Sequence, residues 1–433
     1  MKFRNVVFLM AVVGVMPMKA QEKRTMTVNE LFDLVESNSK TLQKEKTSVE
    51  FASKGIEVAK SQRLPDINTS LSVSYNGNVL ITDRDFSSGQ GYSAPHLGNS
   101  FALEAQQVVY AGGAIDAGIR VAELQKQQAL VGEQQTREQQ RLLVLGQYLD
   151  LYKIGNRMQV TEQNIELTNR LVDDIKAKHR EGMALKNDIT RYELQLENLK
   201  LSLRKLQDQR AVMNYQLCNT LGLSHDVVIV PDTLLLLQET GNESFWQAEA
   251  QTNSPVIHQV RLGRQLAEQG LKLAKSEMLP KVAVVAADNL NGPYTYDIPP
   301  KDINVNFWYV GIGVKYPISS LFKSNKKVRQ AQVATRQTEE VHQVAQEQLD
   351  NQVQQAWTVF QQSYVELETQ RKSVQLARQN YQVVSDRYLS QLALITDMID
   401  ASNIKLNAEL QEVDARINIV YNYYKMKFIA GTL

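Results

Sequence analysis

The chain has 433 residues, a net charge of +1 and a single cysteine, Cys218. So even a balance argues against nucleic-acid binding, which rests on a basic excess, and one cysteine excludes an intramolecular disulfide. A mean hydropathy of -0.33 excludes a bundle of membrane-spanning helices, each of which needs about 20 consecutive apolar residues.

In chain order, the first element is "MKFRNVVFLMAVVGVMPMKA". Lys2 and Arg4 precede an apolar run from Val6 to Met16, and the small Ala20 follows. This pattern predicts a secretory signal peptide over 1–20, cleaved between Ala20 and Gln21. The five histidines (His96, His179, His225, His258, His342) are scattered without metal-ligand spacing, so no metal and no cofactor are expected.

A polar, helix-patterned stretch then ends at "AKSQRLP", Ala59 to Pro65. Two alternating segments follow, about 66–82 and about 99–110. Ile67, Thr69, Leu71, Val73 and Tyr75 alternate with polar partners in the first. In the second, Phe101, Leu103, Ala105 and Val109 do so against Glu104 and Gln106. No proline occurs between Pro95 and Pro231, which leaves that region free to be helical. A helix from Ala114 to Arg180 would run about 100 Å at 1.5 Å per residue. After a break at Gly182, Tyr192, Leu199, Leu206 and Met213 recur every seven residues, the period of supercoiled helices.

The same order is then repeated. A shift of 215 positions places Asn38 and Ser39 on Asn253 and Ser254, Gly55 on Gly270, and the junction "AKSQRLP" on "AKSEMLP", Ala274 to Pro280. Beyond the junction the shift becomes 209, aligning Arg120 with Arg329, Asp188 with Asp397 and Gly222 with Gly431. The mature chain therefore reads as two copies, 21–230 and 231–433, with 223–250 as a linker region. Strands of the second copy are expected at about 281–289 and 303–318, the latter carrying Trp308, Val310, Ile312, Val314 and Tyr316. Val353, Phe360, Leu367, Val374, Tyr381 and Tyr388 continue the heptad track in the following helix.

Alternating strands of this kind suit either a soluble sheet or an outer-membrane barrel with its apolar side outward. Four strands are too few to close a barrel, since single-chain barrels begin at about eight. Open edges are not tolerated in lipid, so a membrane location would require several chains to share one barrel.

Taken together, these features resemble the TolC family of outer-membrane channel proteins. The resemblance rests on the duplicated helix–hairpin–helix order, "NSK" and "NSP" in the first helix of each copy, and the paired "AKSxxLP" junctions. It also rests on "QVVYAGGAIDAGIRVAE" with its counterpart "KYPISSLFKSNKKVRQAQ", and on "REGMALKNDITR" with "DRYLSQLALITDMIDASN". It implies a mixed α/β membrane protein in which four strands from each of three chains form a twelve-stranded barrel, continued by a helical tunnel. It further implies a homotrimer in outer-membrane lipid, joined by a periplasmic adaptor to an inner-membrane pump of RND or ABC type. Pro65, Pro280, Gly112, Gly113 and Pro317 would form the barrel–helix junctions, where fixed or permissive backbone is needed.

Asp397 and Asp400 stand three apart and share one helix face. The resemblance implies that they constrict the periplasmic entrance, as carboxylate rings that attract cations and titrate with raised pKa where crowded. Asp188 is the first-copy equivalent of Asp397, and Tyr388 matches a tyrosine of the family's gate. The chain departs from the family in carrying Gln391 for a glycine and Ala393 for an arginine, and Arg191 is expected to replace that link. The plainer alternative makes both acids ordinary helix-start residues favoured by the helix dipole. No nucleophile motif accompanies them, so no enzyme is expected. The basic run "SNKKVRQAQ", Ser324 to Gln332, is read as a solvated helix start. The alternative function is an envelope-spanning structural coiled coil without a pore.

Overall fold

The computed structural model describes residues 22–232 and 241–433. The signal segment 1–20 and part of the 223–250 linker lie outside the described residues. In order, the elements are β1 (Glu22–Met26), α1 (Val28–Asn38), α2 (Lys40–Ser61), β2 (Asp66–Tyr75), β3 (Val79–Ile81), β4 (Gln90–Tyr92), β5 (Leu97–Tyr110) and α3 (Ala114–Arg180). They continue with α4 (Lys186–Leu221), β6 (Val227–Pro231), α5 (Glu243–Asn253), α6 (Pro255–Ser276), β7 (Lys281–Gly292), β8 (Val305–Lys315), α7 (Ser320–Leu389) and α8 (Ile395–Ala430). The chain forms two compact units: one of Met1–Gln43, Arg137–Ala250 and Asn351–Leu433, the other of Lys44–Thr136 and Gln251–Asp350.

In the first unit, β1 pairs in parallel with β6 over a core that includes Met26, Leu31, Val144, Tyr148, Leu217, Leu221 and Ile229. Tyr148 holds this pairing from beneath. Its hydroxyl donates to the Met26 carbonyl at 2.7 Å and accepts from the Asp232 amide at 2.8 Å. Burial pushes its pKa up to about 12. The Asn38 side chain donates to the Leu221 carbonyl at 2.9 Å, satisfying an orphan acceptor in the last turn of α4. Gly222 follows at φ 66°, and a Cβ there would stand 3.0 Å from the Asn38 Cβ.

The long helices are packed as their heptads predict. Val353, Phe360, Leu367, Val374 and Tyr381 are all buried on α7, as are Tyr192, Leu196 and Leu199 on α4. On α3, by contrast, the buried residues between Ile154 and Leu171 are Thr161, Asn164 and Thr168. Each of the three returns its side-chain donor to the carbonyl four residues earlier.

The second unit carries an antiparallel sheet of order β2-β5-β7-β8. The expected strand at 66–82 is two pieces, β2 and the short β3, because Gly77 and the polar Asn76 and Asn78 interrupt the alternation. β3 instead makes a small hairpin with β4. Register sorts most of the side chains, since directly paired residues share a face. One face holds Ile67, Leu71, Val73, Tyr75, Phe101, Leu103, Val284, Ala286, Trp308, Val310 and Ile312, interrupted by Asn99, Asp288 and Asn306; the other holds Asn68, Ser70, Ser72, Ser100, Glu104, Gln106, Asn289 and Asn291, together with Val305, Phe307 and Tyr309 on β8. Much of the apolar face is exposed, including Ile67, Leu71, Tyr75, Trp308, Val310 and Ile312.

Candidate channel gate and barrel junctions

The junctions are built alike in both copies. Ser61 closes α2 by donating its hydroxyl to the Val58 carbonyl at 2.7 Å, and Ser276 closes α6 on the Leu273 carbonyl at 2.7 Å. The Arg63 and Leu64 amides turn back onto Lys60 and Ser61, while Met278 and Leu279 turn onto Lys275 and Ser276. Pro65 and Pro280 then stand directly before β2 and β7, fixing φ at the step into the sheet. Gly112 and Gly113 adopt left-handed φ of 62° and 83°. A Cβ on Gly112 would come within 2.9 Å of Leu279 Cβ and the Ser276 carbonyl oxygen, so the exit of β5 packs on the second "AKSxxLP" corner. The other exit uses Pro317, whose carbonyl accepts the Ser320 amide at 2.8 Å to start α7.

The helical turns of the first unit are also duplicated. α3 ends with Gly182 at φ 74° and α7 with Gln391 at φ 65°. In both, two amides reach back in the Schellman pattern: Gly182 to His179 and Met183 to Lys178, then Gln391 to Tyr388 and Leu392 to Arg387. Asp188 and Asp397 occupy the same place in the next helix. Asp188 Oδ2 accepts the Leu185 amide at 3.2 Å and Asp397 Oδ2 the Leu394 amide at 3.0 Å. Each is therefore the third-residue partner of a helix cap, placed where the dipole favours a negative charge.

Beneath the turns lies a cluster of Leu171, Val172, Ile175, Tyr192, Tyr381, Ile395, Met398 and Ala401, with Ile189 and Tyr388 against it. Tyr192 is 1% exposed, and its hydroxyl has no hydrogen-bond partner among the described residues. Burial raises its pKa, and the neighbouring Tyr381 and Tyr388 add to the shift. Tyr388 is raised by burial first and by the charge of Asp188 second, which puts those two expected site residues together. Asp397, Asp400 and Arg191 are exposed. None of these three has an ion pair within the described residues. Lys178 was not foreseen: its ammonium lies 5.5 Å from the Tyr388 ring centre and donates to the Leu389 carbonyl at 3.3 Å, tying α3 to the end of α7. Only the fold brings it there, since nothing in the sequence near Lys178 marks it.

The sequence matches the family described as "Outer membrane efflux protein" over residues 31–223 and again over 246–432. The chain belongs to that family. No curated protein sequence matches it. Its fold is similar to that of the outer membrane protein VceC from Vibrio cholerae, at 14% identity and TM-score 0.74, covering 93% of this chain and 96% of that one. It is also similar to the Campylobacter jejuni CmeC outer membrane channel, at 15% identity and TM-score 0.75, covering 94% and 85%. For CusC, whose structures are described in terms of folding and transmembrane channel formation, the values are 14%, 0.79, 93% and 92%.

Membership makes this an outer-membrane efflux protein with a TolC-like fold, whose helices extend into the periplasm. The family is one of channels, not of enzymes. Among the described residues no helix is long and apolar enough to cross a membrane, and no group of His, Cys, Asp or Glu side chains is arranged to hold a metal.

Proposed function

We propose that the protein is the passive exit duct of a tripartite efflux or secretion system, a homotrimer that shares one twelve-stranded barrel. The observation that carries this reading is the four-stranded sheet. Among the described residues its outer strands β2 and β8 each lack a partner on one side, and one of its faces is largely apolar and exposed. Such edges are tolerated in lipid only when paired. Antiparallel closure of β8 onto β2 of the next copy removes them. Trp308 and Tyr316, one at each end of the apolar run of β8, stand about 26 Å apart along a strand at about 3.3 Å per residue. Tilted by about 40°, that spans about 20 Å, close to the aromatic-girdled band of such barrels at about 25 Å.

The two repeats, 21–230 and 231–433, each supply one hairpin to the barrel and one helical turn, α3–α4 or α7–α8. On α8, Asp397 and Asp400, exposed and without ion pairs, repeat around the threefold axis as a carboxylate constriction that admits cations and resists anions. Asp188, Tyr388 and Lys178 brace the turns, and Arg191 bridges to a carboxylate of a neighbouring copy in place of the arginine that Ala393 replaces. A periplasmic adaptor and a proton- or ATP-driven inner-membrane pump supply the energy. Planar-bilayer recording tests the gate: Asp397→Asn with Asp400→Asn is expected to abolish the cation preference. Arg191→Ala is expected to raise conductance and antibiotic leakage; unchanged values would remove Arg191 from the latch. A scaffold without a pore would give no conductance at all.

A further inference from the structure

We propose that the start of α7 is a membrane-interface foot that takes the phosphate headgroups of anionic phospholipids. It rests on the outer-membrane barrel reading. On β8 the apolar face consists of Trp308, Val310, Ile312 and Val314, all exposed, and Tyr316 continues the alternation one step past the strand. Ile318 follows at 70% exposure, then Leu321 and Phe322 at 54% and 63%.

The helix itself fixes which way these residues point. Ser320, Ser324 and Val328 are buried, one every four residues, and define the side of α7 that faces the protein. At about 100° per residue, Phe322, Lys326 and Arg329 lie on the opposite side, with Lys323 flanking them and Leu321 at the margin of the buried side, next to Val328. Lys327 is committed to Glu277 at 2.7 Å. Lys323, Lys326 and Arg329 are exposed and make no ion pair among the described residues. Lys281 and Lys315, paired in register at this end of the sheet, add two more cations.

Apolar and aromatic residues first, then cations one turn on, is the order of an interfacial segment. The former sit at the acyl boundary and the latter reach the phosphates. A helix start bathed in water has no use for bare Ile318, Leu321 and Phe322. The first-copy exit lacks the device: α3 begins Ala114, Ile115, Asp116, Ala117, and Asp116 is held by Arg63 at 2.6 Å. Free phosphate would satisfy the lysines but leave the apolar residues uncovered, so the ligand is lipid. The run "SNKKVRQAQ" thus acquires a role that nucleic-acid binding does not give it.

The experiment uses the full-length protein with its one cysteine removed (Cys218→Ala) and spin labels at Phe322→Cys, Lys326→Cys and, as a reference, Ile312→Cys. It is reconstituted into phosphatidylethanolamine vesicles with and without phosphatidylglycerol. The label at 322 is expected to collide more with dissolved oxygen than with a water-soluble nickel chelate, and the label at 326 the reverse. Each lysine near an anionic surface contributes about 1 kcal/mol, or about fivefold. Unlabelled Lys323→Gln/Lys326→Gln protein should accordingly lose at least fivefold of its preference for co-purified phosphatidylglycerol over phosphatidylethanolamine in native mass spectrometry. A label at 322 that meets nickel while 312 meets oxygen overturns the foot and leaves the barrel standing. A label at 322 shielded from both reagents places a second copy there and overturns it too. An unchanged lipid preference in the double variant has the same consequence. If 312 itself meets nickel, the barrel reading falls and the foot with it.

Discussion

The turn that joins α3 to α4 and the turn that joins α7 to α8 share a backbone and differ in the side chains attached to it. Both use a left-handed residue, the same pair of backward amide bonds and an aspartate closing the next helix. At the left-handed position one has Gly182 and the other Gln391. In the first, the His179 ring bonds the Ala184 carbonyl at 2.7 Å; its counterpart in the second is Tyr388, which packs instead on the tyrosine cluster. Backbone geometry is thus the same in both turns, where hydrogen bonds must be satisfied, while the side chains around it differ.

The comparison can be broken most forcefully at its packed side. Met398 is 0% exposed, whereas Ile189, at the same place in the first copy, is only partly buried. Met398→Ala is expected to cost about 2–5 kcal/mol and Ile189→Ala about half as much, read as loss of thermal stability and faster proteolysis at the turns. Equal losses would mean that the two hairpins bear the packing equally.

Alkaline pH attacks the same cluster. The folded pKa values of Tyr192, Tyr381 and Tyr388 are raised, in each case chiefly by burial. An acid with a raised folded pKa contributes stability that is complete below its unfolded value, about 10 for tyrosine, and is lost as pH rises through the folded value. Unfolding of this end should therefore begin above about pH 10. Tyr192→Phe should shift that onset upward and, by removing an unpartnered buried hydroxyl, add about 1 kcal/mol at neutral pH. Urea titrations at pH 7 and above pH 10 check both signs.

At the caps the two copies should behave alike in stability and unlike in conduction. Asp188→Ala and Asp397→Ala should each cost about 1 kcal/mol through the lost cap bond, but only Asp397→Ala should alter ion selectivity. The smallest effect lies in the turn itself. A side chain in the left-handed region is strained by about 1–2 kcal/mol, partly offset by the entropy that glycine loses on folding. Gln391→Gly should accordingly stabilise the protein by about 0.5–1 kcal/mol, and Gly182→Gln should destabilise it by a similar amount.

Long-period features were legible in the sequence. α3 spans Ala114–Arg180 as read from the proline gap, and the heptad residues of α7 are buried from Val353 to Tyr381, with Tyr388 partly buried. A sustained period needs no tertiary information. The parallel pairing of β1 with β6 was not foreseen, because two five-residue segments some two hundred residues apart carry no local sign of each other. Tyr148, which holds them, lies within α3 and carries no local sign of either strand. Asp188 and Asp397 are equivalent positions of the 209-residue repeat, and their proposed gate role rests on the family resemblance, whereas the cap bonds they make belong to the plainer reading of helix-start acids. Their charge is compatible with both roles, because a carboxylate that accepts one amide keeps its second oxygen free. Lys178 escaped notice because a lone lysine in the last turn of a helix is favoured by the dipole whatever else it does.

The central claim is a conducting pore guarded by carboxylates on α8. Single-channel recording of the purified full-length protein in planar bilayers, beside Asp397→Asn/Asp400→Asn, tests it most directly. The account predicts discrete, cation-selective openings in the natural sequence, with selectivity lost and conductance raised in the double variant. Silent bilayers, or a variant indistinguishable from the parent in selectivity and conductance, would contradict it.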